Sequence, residues 1–203
     1  IQVTLADIGA DVIKTGMLGS AVLVEAIAEC LAEAASMAPR VIDPVMVATS
    51  GDRLVDAKAI EAIRSELVPR ARLVTPNAPE AEVLTGKVVE TVDGQRRAAE
   101  RLLELGAHGA LVKGGHIGGN KITDVLQTTT GEWIFESPRI VTMSTHGTGC
   151  TLASAIATHL AQGASVPDAV ERGRDYLIGA IRSAKSFGKG HGPVNHGWVL
   201  DSE

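Results

Sequence analysis

A glycine-rich loop that carries a cysteine leads directly into an alanine-rich amphipathic helix in the last third of the chain. The loop is His146–Cys150, HGTGC in one-letter code. Backbone N–H groups converge at a helix start and the helix dipole adds positive potential, so the loop predicts a site for a phosphate or a transferring phosphoryl group. A thiol at a helix N-terminus ionises more readily than a free thiol. Cys150 could therefore act as a nucleophile or a general base, and the alternative is a small residue that fills a tight turn.

Charged residues follow several of the predicted strands. Asp43 and Glu80 are carboxylates, which commonly hold Mg²⁺ near a phosphate pocket, and the ammonium group of Lys113 could reach a phosphate. Each has a plainer alternative: Asp43 as a turn residue before a proline, Glu80 as a favourable first-turn carboxylate, and Lys113 as an ordinary strand-end lysine. The six histidines and two cysteines show no zinc-binding spacing.

Short apolar runs alternate with helical periods along the chain. This pattern predicts an α/β fold with a mainly parallel central sheet and helices on both faces. The predicted strands are residues 11–15, 40–45, 72–75 and 109–113, followed by a hairpin of 122–127 and 132–136. The predicted helices are residues 21–37, a helix capped by Asp56, 79–84, 91–105 and two within 147–187. Residues 1–8 are expected to be only a stub.

Ligands of parallel sheets bind outside the carboxyl ends of the strands. The residues that follow the strands should therefore share one rim, namely 14–17, 43–46, 75–77 with Glu80, 113–115 and the loop 147–150. Cys30 lies on the predicted apolar face of the first long helix. We expect it to pack against the core, where its thiol would be inert. That face consists of Leu23, Ile27, Cys30, Leu31 and Ala34.

The composition excludes several classes of protein. The chain has 203 residues, enough for one large α/β domain, and aromatic residues make up only 2%, so the core must consist of Ala, Val, Leu and Ile. The net charge is −5 without a Lys/Arg-rich run, which argues against nucleic acid and anionic membranes as partners. A membrane span needs about 18–20 apolar residues, and no apolar stretch of the sequence comes near that length. Two cysteines are too few for a disulfide framework, and the predicted location is the cytoplasm.

Six stretches resemble one known family, in family order and over nearly the whole chain. Together they are similar to the ribokinase-like kinases, and within them to the hydroxymethylpyrimidine and hydroxymethylpyrimidine-phosphate kinases of thiamin biosynthesis. HGTGC and GKGHGPVNH are the specific parts, whereas any other stretch alone is a weak signal. The six are IKTGML (13–18), DPVMVATSGDRL (43–54), TPNAPEAEVLTG (75–86), VKGGHI (112–117), HGTGCTLASAIA (146–157) and GKGHGPVNH (188–196).

The resemblance implies a kinase that uses ATP and Mg²⁺ and phosphorylates a pyrimidine alcohol and then its phosphate. Gly147, Thr148 and Gly149 would form an anion hole, and Cys150 would serve as the general base. Lys113 would meet the phosphates of ATP.

The resemblance also implies the metal and binding contacts. Asn77 and Glu80 match an Asn-x-x-Glu motif that manages Mg²⁺ and the phosphates, and Asp43 would help to hold the metal. The remaining implied contacts are Lys185, Gly188 and His191 for the nucleotide, and Val45 and Met46 for the pyrimidine.

Two features depart from the family pattern. The family often has Lys where this chain has Thr49. The family's first strand, its glycine-rich start and part of its substrate wall precede the region that is matched. We therefore expect residues 1–203 to be a single ribokinase-like domain that lacks its N-terminal segment.

Other interpretations stay open. Kinases of the same branch phosphorylate pyridoxal or pyridoxine, which are also flat heteroaromatic rings with a hydroxymethyl arm. A non-catalytic nucleotide-binding or regulatory domain would be expected to lack Glu80, Lys113 or Cys150, and all three are present. A thiol-dependent hydrolase is disfavoured because the sequence shows no motif that would bring a cysteine together with a histidine and an Asn or Asp residue. A homodimer is compatible with the sequence.

Overall fold

The computed structural model describes residues 1–46, 54–186 and 189–200, so that Thr49 and Gly188 lie outside the described residues. Six strands form one sheet in this part of the chain: β1 (Ile13–Thr15), β2 (Arg40–Ile42), β3 (Leu73–Val74), β4 (Gly109–Val112), β5 (Lys121–Thr128) and β6 (Gly131–Pro138). Their order in space follows their order in the chain. The first four strands are parallel, and β5 and β6 continue the sheet as an antiparallel hairpin. The predicted α/β architecture is confirmed.

The helices fill the intervals between the strands and the last third of the chain. Those in the described ranges are α1 (Gln2–Asp7), α2 (Ala21–Ala34), α3 (Ala57–Ala62), α4 (Ala78–Thr85), α5 (Val92–Glu104), α6 (Thr148–Ala161) and α7 (Val166–Arg182). A π-helical turn (Ile63–Leu67) and a 3₁₀ turn (Val68–Arg70) extend α3, and a second 3₁₀ turn is Trp198–Leu200. No helix within the described ranges combines the length and apolarity that crossing a bilayer would require.

Most of these helices are preceded by a polar capping residue, whose side chain accepts a hydrogen bond from the backbone N–H three residues later. These residues are Ser20, Asp56, Asn77, Thr91 and Ser165. Such caps satisfy N–H groups that have no partner inside the helix. Helix α6 differs, because it begins after Gly147 without a side-chain cap. The N–H of Thr148 donates to the carbonyl of Thr145 at 3.5 Å, whereas no acceptor is recorded within the described ranges for the N–H groups of Gly149 and Cys150, which leaves these two available to an outside acceptor.

The start of the chain differs in part from the sequence predictions, although Leu31 is buried as predicted. Residues 1–8 contain α1 rather than only a stub. The buried face of α2 consists of Val24, Ala28 and Leu31, whereas Leu23 is 45% exposed and Ala34 is also exposed. Helix α2 is rich in Ala, Val and Leu on several sides, so periodicity alone did not select the face that the sheet covers.

The core has a layer on each face of the sheet. Alternate residues of a strand point to opposite faces, and neighbouring pairs in the central strands divide accordingly. On one face of the sheet, Ile42, Val74 and Val112 pack with buried residues of α2, α3, α4 and α5. On the other face, Leu73 and Leu111 pack with α6 and α7. Both layers consist largely of Ala, Val, Leu and Ile, as the composition predicted.

Buried polar side chains fix the point at which β4 leaves the sheet. The amide Nε2 of Gln95 donates to the carbonyl oxygens of Val112 (2.9 Å) and Thr123 (2.8 Å), and so joins the end of β4 to β5. One residue beyond Lys113, the N–H of Gly114 donates to Oδ1 of Asp124 at 2.8 Å. The side chains of Gln95 and Asp124 are almost fully buried. The backbone on both sides of Lys113 is therefore held by interior groups.

Helix α7 is tied to the same point by a buried ion pair. The guanidinium group of Arg174 contacts the second carboxylate oxygen of Asp124 and donates to Oγ of Ser137 at 3.3 Å. It also lies over the ring of Phe135, 5.6 Å from the centroid. Because α7 packs along α6, this contact connects the end of β4 to the pair of helices that includes α6.

Replacement of Gly114 should test the tightness of this turn. A Cβ atom at Gly114 would clash with the carbonyl oxygen of Thr123, so backbone atoms would have to move. We expect Gly114→Ala to lower the free energy of unfolding by about 1–3 kcal/mol, as overpacking does. Thermal unfolding of the purified variants would measure the change.

Gly118→Ala is the matched control, because a Cβ there meets no heavy atom within 4 Å. Equal stability of the two variants would contradict the assigned role of Gly114.

Candidate active site

The carboxylate of Asp43 lies between two lysine ammonium groups at the carboxyl ends of the parallel strands. The Nζ of Lys113 donates to Oδ1 of Asp43 at 3.2 Å, and the hydroxyl of Thr75 donates to the same oxygen at 3.2 Å. On the other side, the Nζ of Lys14 lies 3.6 Å from Oδ2. These residues come from the ends of all four parallel strands, as the predicted rim requires.

Asp43 is far more buried than a turn residue needs to be. Its side chain is 1% exposed, and Oδ2 has no hydrogen-bond partner in the described part of the chain. A buried carboxylate is strongly unfavourable unless cations or donors compensate it. Asp43 therefore depends on Lys14 and Lys113, and Oδ2 remains able to accept a further donor or a cation.

Asn77 and Glu80 form a reciprocal capping box at the start of α4. The Oδ1 of Asn77 accepts from the N–H of Glu80 at 2.9 Å, and Oε2 of Glu80 accepts from the N–H of Asn77 at 2.8 Å. Such a pair satisfies two backbone donors of the first turn. The plainer alternative for Glu80, a helix-start carboxylate, is thus correct. It does not exclude a second role, because the side chain is only 5% exposed and lies in the field of Asp43 and Lys113.

The ionisation of Glu80 reflects this environment. Burial raises the pKa of Glu80, and the positive charge of Lys113 acts against that increase. The N–H groups of Asn77 and Met46 also favour the ionised form, whereas the negative charge of Asp43 favours the protonated form. A cation that approached both carboxylates would favour the ionised form of Glu80.

The two carboxylates fit a Mg²⁺ ion that arrives with a nucleotide. Among the described residues, no group of three or more His, Cys, Asp and Glu side chains could hold a metal by itself. Mg²⁺ is commonly bound through one or two carboxylates, with waters and substrate phosphates as the other ligands. Asp43 and Glu80 would supply such a pair, and the unpartnered Oδ2 of Asp43 is the atom most available to it.

The loop before α6 lies beside Lys113. Gly147 has a φ of 82°, a left-handed conformation that favours glycine, and Thr148, Gly149 and Cys150 are the first three residues of α6. A Cβ atom on Gly149 would lie 3.3 Å from the Nζ of Lys113. The absence of that side chain lets the ammonium group approach the start of the helix. Cys150 is exposed at the same helix end.

A segment near the end of the chain packs against the residues that precede this loop. The N–H of His146 donates to the carbonyl of Gly192 at 3.1 Å, and the N–H of Gly192 donates to the carbonyl of Met143 at 3.0 Å. The ring Nδ1 of His191 lies 3.3 Å from the hydroxyl of Thr145. His191 is therefore close to the loop 146–150, and its contact with the nucleotide stays a prediction.

The remaining predicted contacts are less closely joined to this cluster. Lys185 is exposed three residues after the end of α7, and Gly188 lies outside the described residues. Val45 is half-buried, whereas Met46 is only 2% exposed and packs in the core on the α2–α5 side. The parts that these four residues play in binding stay predictions.

Sequence reasoning placed Lys14 and Thr75 on the rim without giving either of them a role. Both contact or approach Asp43, from strands on opposite sides of β2. A possible signal was their position, since each stands at the end of a strand next to the one that carries Asp43. The sequence could not show that three side chains would surround the carboxylate of Asp43.

The sequence of the chain is similar to those of known proteins. The family model described as phosphomethylpyrimidine kinase matches residues 1–195. The chain is 48% identical to the thiamine biosynthesis bifunctional protein ThiED of Geobacter sulfurreducens over 196 residues, which cover 97% of this chain but only 40% of that protein. It is 47% identical to a hydroxymethylpyrimidine/phosphomethylpyrimidine kinase of Streptomyces coelicolor, with 96% of this chain and 71% of that protein covered.

The fold is similar to that of a crystal structure of Bacillus subtilis pyridoxal kinase in complex with ADP. The TM-score is 0.89 at 33% identity, and the match covers 99% of this chain and 75% of that chain. The fold expected from the sequence is confirmed by this likeness.

The raised pKa of Glu80 predicts how stability depends on pH. The folded chain keeps this proton at pH values where the unfolded chain has lost it, so the stabilisation from Glu80 is full below about pH 4, the unfolded value, and is lost as the pH rises through the higher folded value. Glu80→Gln cannot ionise. Its free energy of unfolding, relative to wild type, should therefore increase across that window and then level off.

Urea unfolding at a series of pH values would measure this difference. Glu90→Gln, at an exposed position, controls for the loss of one negative charge from the chain. A constant difference between wild type and Glu80→Gln would show that burial does not perturb Glu80.

Proposed function

The chain belongs to the phosphomethylpyrimidine kinase family, and from this premise we propose that the full natural protein phosphorylates hydroxymethylpyrimidine and then hydroxymethylpyrimidine phosphate, with ATP as donor, in thiamin biosynthesis. The names of the two relatives, at 47% and 48% identity, support this assignment. The observation that carries it is the position of Lys113, whose Nζ contacts Asp43 and approaches Gly149 at the uncapped start of α6. One cation thus joins a carboxylate suited to a metal with a helix start suited to a phosphate.

In the proposed first step, the hydroxymethyl oxygen of the substrate attacks the γ-phosphorus of ATP. The thiolate of Cys150 takes the proton of that hydroxyl group, the bond from the γ-phosphorus to the bridging oxygen breaks, and ADP leaves. The N–H groups of Gly147, Thr148 and Gly149 would stabilise the charge on the transferring group. The exposure of Cys150 at the helix start makes its Sγ accessible to a substrate.

The phosphate side would be held by Lys113 and by the two carboxylates. Bound Mg²⁺ would supply charge neutralisation for the donor phosphates. Asp43 and Glu80 would hold that ion, and the capping box with Asn77 would fix the orientation of Glu80. Thr75 would keep Oδ1 of Asp43 directed towards the strand ends.

The second step differs in its acceptor. The attacking group is then an anionic phosphate, which needs positioning and charge neutralisation more than it needs a base. We expect Val45 and Met46 to border the pyrimidine, and Lys185, Gly188 and His191 to border the nucleotide. Location in the cytoplasm and a homodimer also stay predictions.

A pyridoxal kinase is the second candidate function. It is favoured by the fold shared with the Bacillus subtilis pyridoxal kinase at a TM-score of 0.89, whereas the higher sequence identities favour the pyrimidine. ATP consumption with hydroxymethylpyrimidine, its monophosphate and pyridoxal, measured side by side on the full natural protein, would separate the two. Activity on pyridoxal alone would reject the pyrimidine assignment.

Removal of the thiol tests the base. Cys150→Ala should lower turnover of hydroxymethylpyrimidine by about 10²–10⁴-fold, because a general base contributes that much. Turnover of the phosphorylated substrate should fall less. Cys30→Ala is the matched control, since Cys30 is half-buried on α2 and should leave both rates unchanged. Near-normal activity of Cys150→Ala on the alcohol would rule out this role.

Removal of the charge on Glu80 tests the metal site. Glu80→Gln should keep the capping box, because the amide oxygen can still accept from Asn77. It should raise the Mg²⁺ concentration needed for half-maximal activity and lower turnover. Titration of activity with Mg²⁺, with Glu90→Gln as control, would measure this. An unchanged Mg²⁺ requirement would leave Glu80 as a helix-start residue only.

A further inference from the structure

Lys14 is a charged rim residue that the proposed chemistry does not use. Its Nζ lies 3.6 Å from Oδ2 of Asp43, a distance too long for a hydrogen bond, and its side chain is 18% exposed. No hydrogen bond from this ammonium group is recorded within the described ranges. A Cβ atom on Gly16 would lie 3.0 Å from Nζ, so a larger residue at that position would crowd the ammonium group. Lys14 therefore offers a positive charge with donors to spare.

Lys14 and Lys113 come from β1 and from the end of β4, the two outer strands of the parallel part of the sheet. Lys113 follows β4 and approaches the start of α6, Asp43 follows β2, and Lys14 lies within β1 at the sheet edge. Two ammonium groups thus flank one carboxylate, while the second carboxylate of the site, Glu80, interacts with Lys113 and Asp43. If the donor phosphates lie at Lys113 and the α6 loop, the side of Lys14 is left for the acceptor.

The second acceptor brings a phosphate group, whose negative charge needs a cation at that side. Two other cations near the rim already have hydrogen-bond partners in the described part of the chain. Lys113 is hydrogen-bonded to Asp43, and Arg139 donates to the carbonyls of Gly115, Ile117 and Gly119. A lysine with unused donors is well suited to a phosphate, because charge-assisted hydrogen bonds are strong.

We propose that Lys14 binds the phosphate that the acceptor carries in the second phosphorylation, and so sets the preference of the enzyme between the alcohol and the phosphate. This inference rests on the proposed function. Asp43 then has two separate neighbours, Lys113 on the donor side and Lys14 on the acceptor side.

The ratio of the two activities tests this role on the full natural protein. In Lys14→Met, the ratio of kcat/KM for hydroxymethylpyrimidine phosphate to kcat/KM for hydroxymethylpyrimidine should fall about 10–100-fold, the value of one charge-assisted hydrogen bond. Lys14→Arg, which keeps the charge, should restore much of the ratio. Lys58→Met, an exposed lysine on α3, should leave the ratio unchanged.

Calorimetric titration without nucleotide supplies a readout that does not need turnover. Lys14→Met should weaken binding of hydroxymethylpyrimidine phosphate at least tenfold more than binding of hydroxymethylpyrimidine. If both substrates lose affinity and turnover in proportion, Lys14 only holds Asp43 and the proposal is overturned. An unchanged ratio in Lys14→Met overturns it as well. If wild type binds the phosphate but phosphorylates neither pyrimidine, the proposed function fails, and the binding difference still decides the role of Lys14.

Discussion

The buried carboxylate of Asp43 is the interaction on which the rest of the site depends. At 1% exposure it requires cations, and it obtains them from both sides, from Lys113 at 3.2 Å and from Lys14 at 3.6 Å. Removal of one partner from such a cluster leaves a buried charge uncompensated, which is strongly destabilising. The ends of β1, β2 and β4 are therefore held together by electrostatics as well as by the sheet. This arrangement keeps the lysines at the rim, where a phosphorylated ligand can reach them.

The position of Lys113 is set by groups that never touch a ligand. Gln95 fastens the end of β4 to β5, and Asp124 takes the N–H of Gly114, directly after the lysine. Arg174 then pairs with Asp124 from helix α7. The Nε2 of Gln95 and the carboxylate of Asp124 each contact two partners, so that together they specify one geometry at the strand end. Because the backbone on both sides of Lys113 is held in this way, its ammonium group lies between Asp43 and Gly149.

The start of α6 contributes to the site because it has neither a capping side chain nor a Cβ atom at Gly149. The helix has no side-chain cap, Gly147 adopts a left-handed conformation, and Gly149 has no Cβ to exclude Lys113. The segment around Gly192 packs against the residues before the loop and closes that side of the rim. Donors from a helix start, one ammonium group and two carboxylates thus converge. A kinase of the phosphomethylpyrimidine family would need these groups to neutralise and position phosphates.

The sequence by itself determined the strand-and-helix order, the rim of residues after the strands and the glycine loop before α6, because these depend on local periodicity and on turn chemistry. It also predicted Asp43, Glu80 and Lys113 as chemistry-bearing residues. The tertiary structure alone decided which side chains meet. The contacts of Lys14 and Thr75 with Asp43 join residues that are far apart in the chain, and the buried face of α2 depends on what the sheet covers. Neither follows from local pattern, since burial and charge pairing arise only when distant segments pack together.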